Sequence, residues 1–156
     1  MAAVGAQVAD GAVLELIQRF LKQGVLESGQ GWSPTDKGTP QGGVLSPLLA
    51  NIYLNPLDHL MARKGWELIR YADDFIILCQ RQEQAQQALQ EVHQWVEQAG
   101  LTLHPTKTRM ADASQAGGFD FLGYHFERGL KWPREKSLAK FKEAIRQKTS
   151  VPTPIP

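Results

Sequence analysis

Apolar positions first recur at helical spacing. Val13, Leu14, Ile17, Phe20 and Leu21 form one stripe behind Asp10, whose carboxylate suits an N-cap, and Gly24 lies where that helix would stop. Residues 27–43 lose the pattern and are rich in Gly, Ser, Pro and Thr, which predicts a loop ending in Gly38-Thr39-Pro40-Gln41-Gly42-Gly43. Ser46-Pro47 then has the form of an N-cap followed by a first-turn proline. Leu48, Leu49, Ile52, Tyr53, Leu57 and Leu60 continue a second helix, with a kink expected at Pro56.

From Glu67 to Cys79 the period shortens. Leu68-Ile69-Arg70-Tyr71 and Phe75-Ile76-Ile77-Leu78-Cys79 are rich in strand formers and flank Ala72-Asp73-Asp74, so a β-hairpin with two aspartates at its tip is predicted. A third helix over 82–99 carries Ala85, Leu89, Val92, Val96 and Ala99 on one face and ends at Gly100. The eight glutamines between Gln80 and Gln98 read as its solvated side. Leu101 and Leu103 suggest a short strand, and Phe119 to Phe126 another strand or hairpin. A basic helix from Ser137 to about Lys148 has a Leu138, Phe141, Ile145 stripe. This order of elements predicts an α+β fold rather than a doubly wound parallel sheet. It also predicts one domain over 1–150 and a Pro-rich tail over 151–156.

Composition narrows the classes. The 156 residues are 42% hydrophobic and 21% charged, enough for a core. One cysteine, Cys79, excludes a disulfide framework, and the absence of a long apolar run or signal pattern points to a cytoplasmic protein without a membrane partner. The net charge of +1 conceals an asymmetry: Arg128 to Lys148 carries +6 and the remainder −5. That arm is either a solvated helix face or a phosphate-contacting surface.

Two features have chemical content. The first is Tyr71-Ala72-Asp73-Asp74. It reads either as a polar turn or as a mount for Mg²⁺, which takes hard oxygen ligands and serves phosphoryl and nucleotidyl transfer in pairs about 4 Å apart. Adjacent strand residues point to opposite faces, so Asp73 and Asp74 cannot serve a metal pair equally, and a further carboxylate is needed. The second is Gly38 to Gly43 leading into a helix, either a plain loop or a close approach to a ligand. Neither a P-loop nor a dinucleotide fingerprint is present.

Taken together, Gly38-Thr39-Pro40-Gln41-Gly42-Gly43-Val44-Leu45-Ser46-Pro47-Leu48-Leu49-Ala50-Asn51-Ile52-Tyr53-Leu54, then Tyr71-Ala72-Asp73-Asp74, Leu101-Thr102-Leu103-His104-Pro105-Thr106-Lys107-Thr108 and Phe121-Leu122-Gly123-Tyr124-His125-Phe126 resemble, in order, the reverse transcriptases encoded by group II introns. The resemblance runs from about Asp10 to Thr149. It implies a polymerase palm: an antiparallel sheet with the active-site hairpin packed against helices. Asp73 would be a catalytic metal ligand and Asp74 its lesser neighbour, with two Mg²⁺ in the complete site. Tyr71, Ala72, Pro40, Gln41, Gly42 and Lys107 would line the nucleotide and template pocket. Phe121, Leu122, Gly123 and Tyr124 would form the primer grip, and Arg134, Lys136, Lys140 and Lys142 would contact nucleic-acid backbone. The implied partners are an RNA template, a DNA primer and deoxynucleotides, with intron RNA a further candidate.

The departures also carry expectations. The family's palm has another metal-binding aspartate on an earlier strand, and Met1 to Ala9 contains no carboxylate. Asp58, Asp112 and Asp120 lack the apolar alternation of a buried strand and are not expected to replace it. With fingers and thumb also unmatched, the expectation is a partial palm, inactive alone, whose uncovered apolar surface favours self-association. The competing expectation is a non-catalytic remnant that binds nucleic acid through its basic end. A nucleotide cyclase-like palm would share the hairpin carboxylate but leaves the Pro40-Gln41-Gly42 block unexplained.

Overall fold

The computed structural model describes residues 1–27, 31–33, 38, 39 and 42–149. The chain divides into two compact units, Met1–Cys79 and Gln80–Pro156. Helices alternate with strands, every strand pairing is antiparallel, and the α+β class is met. Among the described residues the strands form three separate sheets of two, two and three strands, so they are not hydrogen-bonded into the single sheet expected of a palm.

The first unit is built around one long helix. Helix α1 (Ala2–Gly5) and helix α2 (Gly11–Lys22) are followed by strands β1 (Val25–Glu27) and β2 (Gly31–Ser33), helix α3 (Ser46–Arg63) and strands β3 (Glu67–Tyr71) and β4 (Asp74–Leu78). Asp10 caps α2 as expected, its Oδ1 accepting from the N–H groups of Ala12 and Val13 at 2.8 and 3.1 Å. Helix α2 ends at Lys22 with Gln23 extended, at φ −63° and ψ 135°, so the helix stops just ahead of Gly24, where the sequence places its end. The segment expected to be loop contains β2 and the last residue of its partner β1. Ser46 is the first helical residue and Leu45 precedes it as cap, without a side-chain capping bond, one residue earlier than the sequence suggested. Leu49, Leu57 and Met61 lie on one α3 face at spacings of eight and four and are buried together with Val4 of α1. Helix α3 contacts both α1 and β3.

The second unit contains helix α4 (Gln82–Gln98), strands β5 (Phe119–Phe121), β6 (Tyr124–Glu127) and β7 (Leu130–Pro133), and helix α5 (Glu135–Thr149). Ala88, Val92 and Val96 form the buried stripe of α4. Not every glutamine there is merely solvated. The Oε1 of Gln84 accepts from the N–H groups of Gln80 and Arg81 and closes the free donors at the helix start. At the other end the Leu101 N–H donates to the Val96 carbonyl at 2.9 Å and the Gly100 N–H to Glu97 at 3.0 Å, a Schellman closure. Leu101 thus spends its donor on the helix, and the strand expected at Leu101 and Leu103 does not form.

Strands β5, β6 and β7 make a meander with two-residue turns. Leu122 and Gly123 in the first turn have φ of 48° and 85°, and Arg128 and Gly129 in the second have φ of 51° and 74°. Positive φ at both central positions is the type I′ pattern that matches strand twist, and it places a leucine and an arginine in a region L-residues avoid. The pairing sets Phe119 against Phe126, whose rings stack with centroids 5.2 Å apart. It also sets His125 against Trp132 at 5.0 Å. No helix among the described residues is long and apolar enough to cross a membrane.

Gly118 enters this sheet under a close backbone approach from β6. It is buried, at φ 28°, and a Cβ there would collide with the Phe126 carbonyl. Gly118→Ala should therefore destabilise the chain by about 2 kcal/mol or more. Gly11→Ala has open space and an ordinary φ at a helix start, so it should be neutral or stabilising by up to about 1 kcal/mol. Denaturant unfolding of both variants checks the contrast.

Candidate functional site

The β3–β4 hairpin brings Tyr71, Ala72, Asp73 and Asp74 together. Tyr71 pairs with Asp74, and Ala72-Asp73 is the two-residue turn between them. Ala72 sits at φ 54°, a left-handed conformation that costs an alanine roughly 1 kcal/mol. Asp73 and Asp74 are both exposed, and Tyr71 is 68% exposed. Neither carboxylate accepts a side-chain hydrogen bond or ion pair among the described residues. Two hard oxygen donors therefore stand free at the end of a ribbon, the donor chemistry that Mg²⁺ requires. Among the described residues no group of three or more His, Cys, Asp or Glu side chains converges on a metal-sized site.

The residue that holds this ribbon was not singled out by the motif. Arg70 is one position before the tyrosine, with its side chain only 11% exposed. Its Nε donates to Asp58 Oδ1 at 2.8 Å and its Nη2 to Asp58 Oδ2, a two-pronged pairing with α3. Its Nη1 donates to Asn51 Oδ1 and to the Ala72 carbonyl, both at 2.8 Å. The hydrogen bond to Asp58 pushes the Arg70 guanidinium above its ordinary value, against burial, which pulls the other way. A cleft of about 270 Å³ lined by Asp58, Ala62, Trp66, Leu68 and Arg70 adjoins the pair. The available signal was an arginine inside an apolar strand, with Asn51 and Asp58 seven residues apart, about two turns along one helix face.

The other acids considered for a third carboxylate have partners of their own. Asp58 pairs with Arg70. The Oδ1 of Asp112 accepts from the Ser114 N–H at 2.9 Å and its hydroxyl at 2.6 Å, which holds the Asp112 carboxyl below its ordinary range. Asp120 lies 2.7 Å from His125 Nδ1.

Pro40 and Gln41 lie outside the described residues. Gly42 is exposed at φ 78°, and at the next position a Cβ would come within 2.7 Å of the Phe20 ring, so the loop passes close under α2 before entering α3. Lys107 is exposed in the turn after His104-Pro105, where the Thr108 N–H donates to the His104 carbonyl at 3.0 Å. Phe121, Leu122, Gly123 and Tyr124 form the first meander turn, with Leu122 and Tyr124 each about half exposed. The Arg134 N–H donates to the Gly123 carbonyl at 3.0 Å, which ties the start of the basic segment to that turn. Lys136, Lys140 and Lys142 are exposed on α5, as are Leu138, Phe141 and Ile145 of its apolar stripe. Burial pushes the Cys79 thiol up.

Comparison with known proteins matches residues 6–126 to the family described as reverse transcriptase (RNA-dependent DNA polymerase). The group II intron-encoded protein LtrA of Lactococcus lactis subsp. cremoris is 53% identical over 55 residues, 35% of this chain and 9% of that protein. Protein YkfC of Escherichia coli is 26% identical over 161 aligned residues, 82% of this chain and 42% of its own length. The telomerase reverse transcriptase of Oryzias latipes is 28% identical over 123 residues, 76% of this chain and 11% of that protein. The chain thus spans less than half the length of these relatives.

The meander next to the Leu122-Gly123 turn sets His125 between two carboxylates, Asp120 and Glu127. The hydrogen bond to Asp120 raises the His125 pKa, with burial opposing and Glu127 (Oε2 3.6 Å from Nε2) adding to the rise. Glu127 is lowered, mainly by the Gly117 N–H at 2.8 Å. The histidine's contribution to stability is therefore complete below its ordinary value, about 6.5, and is lost as pH rises through its elevated one. That of Glu127 is complete above about 4.3 and is lost as pH falls through its depressed one. An NMR titration should find the His125 midpoint above that of a free histidine, and Asp120→Asn should return it toward the ordinary value.

Proposed function

Because the chain belongs to the reverse transcriptase (RNA-dependent DNA polymerase) family and shares a segment with a group II intron-encoded protein, we propose that it supplies the palm of an RNA-directed DNA polymerase. The observation that carries this reading is the hairpin tip, where Asp73 and Asp74 are exposed and unpaired on a turn held from behind by Arg70. Asp73, in the turn itself, is the principal metal ligand, and Asp74, the first residue of β4, its lesser neighbour. When bound, Mg²⁺ offsets the charge of the reacting phosphates and activates the attacking hydroxyl. A pair of ions needs more protein oxygen than two neighbouring carboxylates offer, so on this reading a further carboxylate joins Asp73 and Asp74.

The remaining residues bind and orient. Tyr71 offers an exposed ring beside the carboxylates, suited to stacking on a base or sugar. Gly42 allows a strand of nucleic acid or a nucleotide to approach the backbone ahead of α3. The Leu122-Gly123 turn, with Phe121 and Tyr124, grips the primer, and Lys107 faces the triphosphate. Arg134, Lys136, Lys140 and Lys142 neutralise phosphates of the RNA template or the DNA primer, with intron RNA a further ligand of the same chemistry. Such contacts weaken steeply with salt.

Two outcomes separate this reading from a non-catalytic nucleic-acid-binding role. With the segments that complete the site supplied in trans, deoxynucleotide incorporation on an RNA template should fall at least about a hundredfold in Asp73→Asn, since several kcal/mol of charge stabilisation is removed. Equal incorporation by both proteins defeats the assignment of Asp73. No incorporation in any combination, together with salt-sensitive RNA binding lost in Lys140→Gln and Lys142→Gln, supports the binding role instead.

A further inference from the structure

We propose that Arg70 is a positioning residue: its guanidinium fork locks the turn carrying Asp73 onto α3 and thereby sets where the carboxylates stand. The significance of this lock rests on the reading of Asp73 and Asp74 as the functional carboxylates. The lock itself stands on geometry alone. One planar group bonds three partners, Asp58 and Asn51 on α3 and the Ala72 carbonyl in the turn. Ala72 is the residue held at φ 54°. A left-handed alanine persists only where its surroundings over-determine it, and here the over-determining contact is the bond from Nη1 to its own carbonyl.

The choice of arginine follows from the number and direction of these bonds. A lysine has a point charge with three donors on a flexible stem and cannot hold a carboxylate in two-pronged fashion while also reaching two further oxygens. Burial adds to the demand. At 11% exposure, water cannot readily substitute for a lost partner. Asp58 and Asn51 fix the fork at one end, so the turn's carbonyl is referenced to the helix axis rather than to the flexible ribbon. The helix in turn begins at Ser46, with only Val44 and Leu45 between it and Gly42-Gly43, so the loop expected to meet the nucleotide and the tip expected to hold metal share one rigid member.

The test uses amide hydrogen exchange of this chain under native conditions, with thermal melting to confirm folding. In Arg70→Lys the amides of Tyr71 and Asp74, the ladder pair that closes the tip, should exchange at least about tenfold faster, while those of Leu57 and Met61 in α3 change far less. Asp58→Asn, which keeps the shape and removes the charge, should give an intermediate, equally local effect and serves if Arg70→Lys fails to fold. An acceleration spread evenly over α3, β3 and β4, or none at the tip, overturns the proposal, because it would mark Arg70 as a contributor to global stability only. Mn²⁺ is the second probe. Paramagnetic broadening at Asp73 and Asp74 should need several-fold more Mn²⁺ in Arg70→Lys than in the parent. If the parent shows no broadening at the tip while the exchange pattern holds, the lock stands and the metal-site reading of the tip falls.

Discussion

The Arg70–Asp58 pair is the interaction on which the first unit's organisation depends. Among the described residues the β3–β4 hairpin has no third strand, and an isolated two-stranded ribbon is at best marginally stable in water. The side chains of chemical interest sit at its far end, where fraying would be greatest. A half-buried ion pair is not in general a source of stability, since desolvation consumes much of the attraction. Its value here is directional: it fixes one end of the ribbon to a helix whose own face, Leu49, Leu57 and Met61, is the buried core of the unit. Packing provides the firm body, and the charged fork transmits that firmness to a polar tip that packing cannot reach.

The second unit solves a similar problem differently. Its meander closes with two-residue turns at Leu122-Gly123 and Arg128-Gly129, each with a non-glycine residue at positive φ. The stacked Phe119–Phe126 pair and the tilted His125–Trp132 pair lie across β5–β6 and β6–β7 and oppose the strain of those turns. The result is an exposed Leu122 presented on a stiff edge, with the basic helix α5 starting at the adjacent strand end.

Much of this was legible in the sequence, and for identifiable reasons. Hydrophobic spacing located α2, α3, α4 and the β3–β4 hairpin because each has a clear period, and the Asp10 cap could be read from one residue type in one position. The order of four motif blocks pointed to the reverse transcriptase family, to which the matched residues 6–126 belong. What failed was long-range or competitive. The strand at Leu101 lost its donor to the closure of α4, which spacing does not reveal. Strands β1 and β7 are too short to show a period. The role of Arg70 is not legible in spacing, because an arginine next to a motif looks like a solvated flank until the helix carrying Asn51 and Asp58 is folded against it. Asp58, which the sequence does not favour as a ligand, is the counter-ion of Arg70.

The connection between α3 and β3 has a consequence for how this geometry comes into being. Only Lys64, Gly65 and Trp66 separate the helix from the strand, and Arg70 lies 12 residues from Asp58 and 19 from Asn51. Closing loops this short costs little chain entropy, and local contacts of this kind form early. The stretch from Asn51 to Asp74 therefore contains its own assembly instructions. Its Arg70 contacts can close early in folding, ahead of those that join α3 to Val4 of α1 across a much longer stretch of chain.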